Sequence, residues 1–393
     1  MPATSFGPGI PDIGPSNLIG FLLLILFFLQ GCVLKNIKII DKWAAIILLY
    51  CLVVFASVYW SSYRYNSFIF QFMFYKVFML FFVAIISINQ LSNAKSVHTF
   101  IINIAIAGAI LSVVSVLQMI SGYLMGSATI RATGTFSKPN GLAIFLVMIV
   151  PSLLYIIERK ILSRTVVRIV VVLIVFGIVS TVSRKGVFSL VLTVFIYNLL
   201  KGKFKQLIVA SIFFVLLATA LSGYKVISHR FEHDSVEKQM SSKWTLTQAG
   251  WEMFKTSPII GLGFRGFATN YSIYITNTQK ENYDAHNIFI ILLSDYGLLG
   301  FLPFLGILLY PVILSLKTLR MYKEGPENFD DDKILCKDLA VICISVVIPF
   351  MISGWFAGGL LFQEEIMFLL LTMIAMFMAN VHKLSKNIHK AKS

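Results

Sequence analysis

Two side chains in this sequence stand out for the chemistry they could do. Arg184 lies in the polar tetrad Ser183-Arg184-Lys185-Gly186, pressed between two long apolar runs. Placing an arginine toward a bilayer interior costs roughly 2.5–3.5 kcal/mol on insertion scales, so such a residue usually faces a cavity or a partner. The plainer alternative is an arginine that snorkels to the lipid headgroups. A fixed, permanently charged guanidinium in a dry site suits an anion that gains charge during a reaction. His286 ends the longest polar stretch, at the point where the chain returns to apolar sequence. A neutral imidazole there can take a proton from a hydroxyl, or it can cap the helix that follows.

Other patterns carry less. Gly261-Leu262-Gly263-Phe264-Arg265-Gly266 spells a dinucleotide fingerprint, but it follows Ser257-Pro258 instead of a strand, so it reads as a tight glycine turn. His229 and His233 stand one helical turn apart with no third ligand in view, and no metal site or cofactor is expected. Cys32, Cys51, Cys336 and Cys343 form no CxxC pair and read as small buried hydrophobes.

The elements that must position these residues are membrane helices. Hydrophobic residues make up 58% of the chain and charged residues 13%, too few to cover a water-facing surface. A bilayer core takes roughly twenty apolar residues per helix, and about eleven segments qualify. They lie near 18–34, 43–60, 67–88, 97–121, 139–157, 165–182, 186–200, 206–223, 297–316, 338–357 and 362–381. The fold class expected is an all-α polytopic membrane protein, one membrane domain over 1–393 with no internal repeat. Lys76 is the main charge within a span.

The net charge of +15 fits this reading without nucleic acid. Lys35, Lys38 and Lys42, the run Arg159–Arg168, the lysines at 201, 203 and 205, the segment Lys317–Lys337 and the tail after His382 all fall on one side when the spans are counted in order. That side should be cytoplasmic, which puts the N-terminus outside and the C-terminus inside. Arg131, Lys138, Arg184 and the long segment 224–296 then share the outer face. Trp244, Trp251, Phe254, Phe264, Phe267, Tyr271, Tyr274 and Tyr283 give that segment material for a core of its own. Trp244, Leu246, Ala249 and Met253 suggest a helix ending before Pro258, and 287–296 suggests a second one leading into the next span. A partly helical cap between the eighth and ninth spans is the architecture implied.

Taken together, four stretches resemble the O-antigen ligase and polymerase superfamily of bacterial polysaccharide assembly. They are Thr133-Gly-Thr-Phe-Ser-Lys-Pro-Asn140, Val182-Ser-Arg-Lys-Gly186, Trp251 with Phe254-Lys-Thr-Ser-Pro-Ile-Ile-Gly-Leu-Gly-Phe264, and His286-Asn287 with Asp295-Tyr-Gly-Leu-Leu-Gly300. They occur in the family's order over roughly positions 130–300. The resemblance implies a GT-C-like, metal-independent, inverting glycosyltransferase of the bacterial inner membrane. Its donor would be a polyprenyl-diphosphate-linked glycan, and its acceptor a lipid A–core sugar in a ligase or another repeat unit in a polymerase. By the same resemblance Arg184 would hold the diphosphate and His286 would be the base. Where relatives often carry an arginine before the tryptophan helix this chain has Lys243, which keeps the charge but loses the bidentate fork. Either Lys243 suffices, or Arg230 or Arg265 supplies the second phosphate contact. A chain-length regulator is a further partner such systems can have. The rival readings are a lipid-linked saccharide transporter and a non-catalytic assembly protein.

Overall fold

The computed structural model describes residues 42–62, 64, 67–126, 131–205, 233–275, 285–322, 331–356 and 363–392. The expected spans at 18–34 and 206–223 lie outside these residues, as do Cys32, His229, Arg230 and Tyr283; of His233 only the backbone is described. Every regular element among the described residues is helical. In order they are α1 (Lys42–Ala56, extended by a 3-10 turn Ser57–Trp60), α2 (Ser67–Gln90), α3 (Ala94–Leu124), α4 (Pro139–Arg159), α5 (Arg164–Ser180) and α6 (Arg184–Leu200). Then come α7 (His233–Thr256), α8 (Gly266–Asn270), α9 (Ile288–Met321), α10 (Asp331–Trp355) and α11 (Glu364–Lys392).

Six of them, α1 with its turn, α3, α4, α9, α10 and α11, are long and apolar enough to cross a membrane. The described part of α2 forms a shorter apolar helix. Helices α5 and α6 are shorter too, at 17 residues each. The chain is a multi-pass membrane protein. Burial sorts the helices by position. Of the apolar stretch, 78% is buried in α4 and α10 and 72% in α11, against 28% in α3. The first three form the centre. Helix α3 turns Ile106, Ile110, Val113 and Leu117 outward, where lipid is the natural solvent for them.

Small residues set the closest crossings. Gly177 of α5 lies against Ser112 of α3, and Gly186 of α6 against Ala143 of α4, so a side chain at either glycine would collide with its neighbour. The order of the helices brings Arg159, Lys201 and Lys203 together at one end of the bundle. There Asp338 accepts from Lys201 Nζ and Arg159 Nε, each at 2.6 Å. Glu158 pairs with Lys201 at 2.9 Å and Lys203 at 2.7 Å. Lys76, the charge noted within a span, pairs with Glu364 at the start of α11.

At the other end the polar segment packs onto α9, which is broken at Gly297 (φ 58°, ψ −159°). The break frees backbone groups on both sides, and residues 258–263 satisfy them. Leu298 N donates to Pro258 O at 2.9 Å and Leu299 N to Ile259 O at 3.0 Å. In return Leu262 N donates to Ser294 O and Gly263 N to Asp295 O, both at 2.8 Å. The glycine turn therefore serves as a backbone splint for a kinked helix, with Gly261 and Gly263 in the left-handed region. Buried Asp295 adds its side chain, accepting from Phe267 N at 2.6 Å.

Candidate active site

Arg184 is the first residue of α6, half-buried, with Ser183 as N-cap accepting from Gly186 N at 3.1 Å. A helix N-terminus favours an anion beside it. The turn before it contains Val182 at φ 47°, a conformation that costs a β-branched residue on the order of 1–3 kcal/mol and persists only where its surroundings enforce it. Asn140, in the first turn of α4, accepts at 2.9 Å from both Ser183 Oγ and an Arg131 terminal nitrogen. Arg131 Nε also donates to Thr181 O at 3.0 Å. Lys185 reaches across to the Phe356 carbonyl after α10.

Lys243 of α7 stands near Arg184. Burial, and then the Arg184 charge, lower its pKa from the usual lysine value. Two cations from different elements held together make a poor neighbourhood for each other and a good one for a doubly charged anion. His286 is half-buried with φ 52°, immediately before Asn287. Asn287 caps α9 by accepting from Phe289 N at 2.9 Å and Ile290 N at 3.3 Å. The capping role considered for His286 therefore belongs to its neighbour.

A groove of about 1220 Å³ runs between α7 and the ends of α9 and α10. Trp244, Gln248 and Trp251 form one wall, Phe289 and Trp355 the other, and Asn287 is also in its lining. Lys243, which feels the charge of Arg184, thus precedes the groove-lining Trp244, and His286 precedes the groove-lining Asn287. Arg265 is elsewhere. It is exposed on the glycine turn, and its charge acts on buried Tyr296. Arg230 lies outside the described residues.

One expectation about the polar segment needs correction. Phe264, Phe267 and Tyr271 are buried, but Trp244 and Trp251 are 65% and 45% exposed. Leu246, Ala249 and Met253 face the interior instead, and Trp244 lies about 160° around the helix from Leu246. Sequence reading also missed the Arg131–Asn140 brace. An available signal was the pair of polar residues at the start of an apolar span, on the side assigned to Arg184.

Fold and site together define a helical multi-pass membrane protein with a cationic site at one end of its bundle, beside a groove roofed by a polar helix. Residues 169–305 match the family model described as O-antigen ligase. The matched stretch contains Arg184, Lys243, Arg265 and His286. No curated protein matches the chain.

Proposed function

We propose that this chain is an inverting, metal-independent glycosyltransferase. It moves a saccharide from a polyprenyl diphosphate onto an acceptor hydroxyl at the outer face of the bacterial inner membrane. The acceptor is the lipid A–core sugar of a ligase. The observation that carries the reading is a groove lined by Trp244 and Asn287, the sequence neighbours of Lys243 and His286, with the charge of Arg184 acting on Lys243. The family match over the same residues and the collection of basic side chains at the opposite end of the bundle support it; that end is then cytoplasmic.

In the step, the acceptor oxygen forms a bond to the anomeric carbon as the bond from that carbon to the diphosphate oxygen breaks on the opposite face. The electron pair leaves on the diphosphate. Arg184 and Lys243 hold that group and meet the charge it gains, an interaction stronger in the transition state than before it. His286 takes the hydroxyl proton. The strained turn and the Asn140 web keep Arg184 aimed without reorganisation at the moment of reaction.

The test is a surface-polysaccharide gel of a deletion strain complemented with wild type, Arg184→Ala or His286→Ala, with the lipid-linked pool extracted in parallel. Loss of long surface glycan with its accumulation on the polyprenyl carrier identifies a ligase. Single repeat units on either carrier identify a polymerase. Unchanged glycan in both pools would sink the transferase reading in favour of a transporter or an assembly protein.

A further inference from the structure

We propose that the outward face of α7 is a glycan-stacking wall that holds the first sugars of the lipid-linked donor; this rests on the transferase reading above and names the subsite where its substrate lies. Trp244 and Trp251 are seven residues apart, so they sit on one face of the helix, about 10 Å apart along its axis. Both are largely exposed, and both line the groove. Gln248 lies one turn from each and lines it as well. Thr245 and Glu252 flank the indoles, Glu252 already engaged with Lys255 at 2.8 Å.

Large indoles left out of a core need a reason, and their company suggests one. A pyranose ring has an apolar C–H face and a rim of hydroxyls. It therefore fits a flat aromatic surface edged by groups that both donate and accept, as Gln248 and Thr245 do. A hydrocarbon chain would use the indoles but offer no hydrogen bond to the exposed amide of Gln248 between them. The opposite wall, with Phe289, Leu293 and Trp355, is apolar apart from Asn287, so the two sides of the groove differ in the way the two halves of a glycolipid differ.

Chain order selects donor over acceptor. Lys243, within reach of the Arg184 charge, immediately precedes groove-lining Trp244 on the same helix. A glycan whose diphosphate rests on these cations runs from there onto Trp244, past Gln248 and on to Trp251. The acceptor is left the side of the groove that adjoins His286 and Asn287.

The experiment uses the full chain in phospholipid nanodiscs, free of sugar-headed detergent. The probe is the repeat-unit oligosaccharide released by mild acid from the host's own surface glycan. Saturation-transfer NMR should show this sugar receiving magnetisation from the wild type and from Arg184→Ala, but not from Trp244→Ala/Trp251→Ala. In transfer assays that double variant should raise KM for the lipid-linked donor about tenfold or more with little change in kcat. Phenylalanine at both positions should restore binding, and leucine should not. Full rescue by leucine would make these residues lipid contacts and overturn the proposal, as would a wild type that gives the sugar no signal. A wild type that transfers no glycan from the lipid-linked donor would instead remove the transferase reading, while the NMR result would still decide the wall.

Discussion

Asn140 accepts a hydrogen bond from Ser183 at 2.9 Å, and this contact ties the first turn of α4 to the residue that precedes Arg184. The same oxygen accepts from Arg131, which also grips the Thr181 carbonyl. Arg131, Asn140 and the Val182–Gly186 turn are therefore parts of one brace. Its evident product is the left-handed Val182 and the direction in which Arg184 leaves the helix.

Removing the acceptor should loosen that direction. Asn140→Ala strands a guanidinium donor and a hydroxyl, which should lower stability by about 1–3 kcal/mol. A small displacement of Arg184 should cost about 10–100-fold in kcat, because misplacement of a charge-stabilising group is paid in the transition state. Asn140→Asp keeps the acceptor and should retain most of the activity. Donor turnover by purified variants, with thermal unfolding alongside, checks both expectations. Wild-type kcat in the alanine variant would contradict the brace.

The glycine splint of α9 should be equally intolerant. A side chain on Gly261 would collide with the Asp295 carbonyl, and one on Gly297 with the Ile259 carbonyl. Both residues also have positive φ, at 69° and 58°. Gly261→Ala should therefore destabilise the packing of the polar segment by about 3 kcal/mol or more, since backbone must move. Trypsin should then cut at Lys255 and Arg265 far faster than in the wild type, before the membrane helices give way. Equal cleavage rates would mean the splint is dispensable.

These two cases show where the sequence was legible. The apolar stretches stand out because lipid leaves no cheaper solution than a helix of bilayer length, and the observed helices cover nine of the segments so read. Pro258 and the glycines announced a turn, and one is there. What the turn is for could not be read, since splinting a broken helix is a pairing between positions far apart in the chain. The exposure of Trp244 was legible in principle from its angle to Leu246 and Met253, but hydrophobicity alone pointed inward. At the basic end, Arg159 and Lys201 were legible as orientation signals, and Asp338, next to Lys337 at the head of an apolar run, gave no hint that it would collect them.

Lys243 gives a prediction in pH. Burial and the charge of Arg184 set its folded pKa below the ordinary 10.5. Below that lowered value the lysine is charged in both states and the folded protein bears the full penalty. Between the lowered value and 10.5 the unfolded chain holds a proton that the folded chain has released, so stability rises with pH. Relative to Lys243→Met, the wild-type melting temperature should therefore climb through that window and level off above it. The effect should be small, because the side chain is partly solvated. Inorganic pyrophosphate should keep Lys243 charged and move the climb to higher pH. A difference between the two proteins that does not vary with pH would show that Lys243 feels no neighbouring cation.

The ion cluster at the other end should behave in the opposite manner to the Asn140 brace, and this tests whether the two ends of the bundle do separate work. The Asp338 side chain is only 4% exposed and receives Lys201, itself 14% exposed, together with Arg159. Deleting the carboxylate leaves two cations short of a partner in a place with little water, a loss of about 3–5 kcal/mol. Glu158 still holds Lys201 at 2.9 Å, so the lower part of that range is expected. No residue of this cluster lines the groove or adjoins Arg184, so Asp338→Ala should reduce the melting temperature and the yield of folded protein. It should leave kcat per folded molecule within about twofold, as expected for a distant site with no shared partners. The measurement is turnover normalised to the monodisperse fraction from size exclusion. A variant with normal melting and a tenfold lower kcat would show that this end of the bundle reaches the cationic site after all.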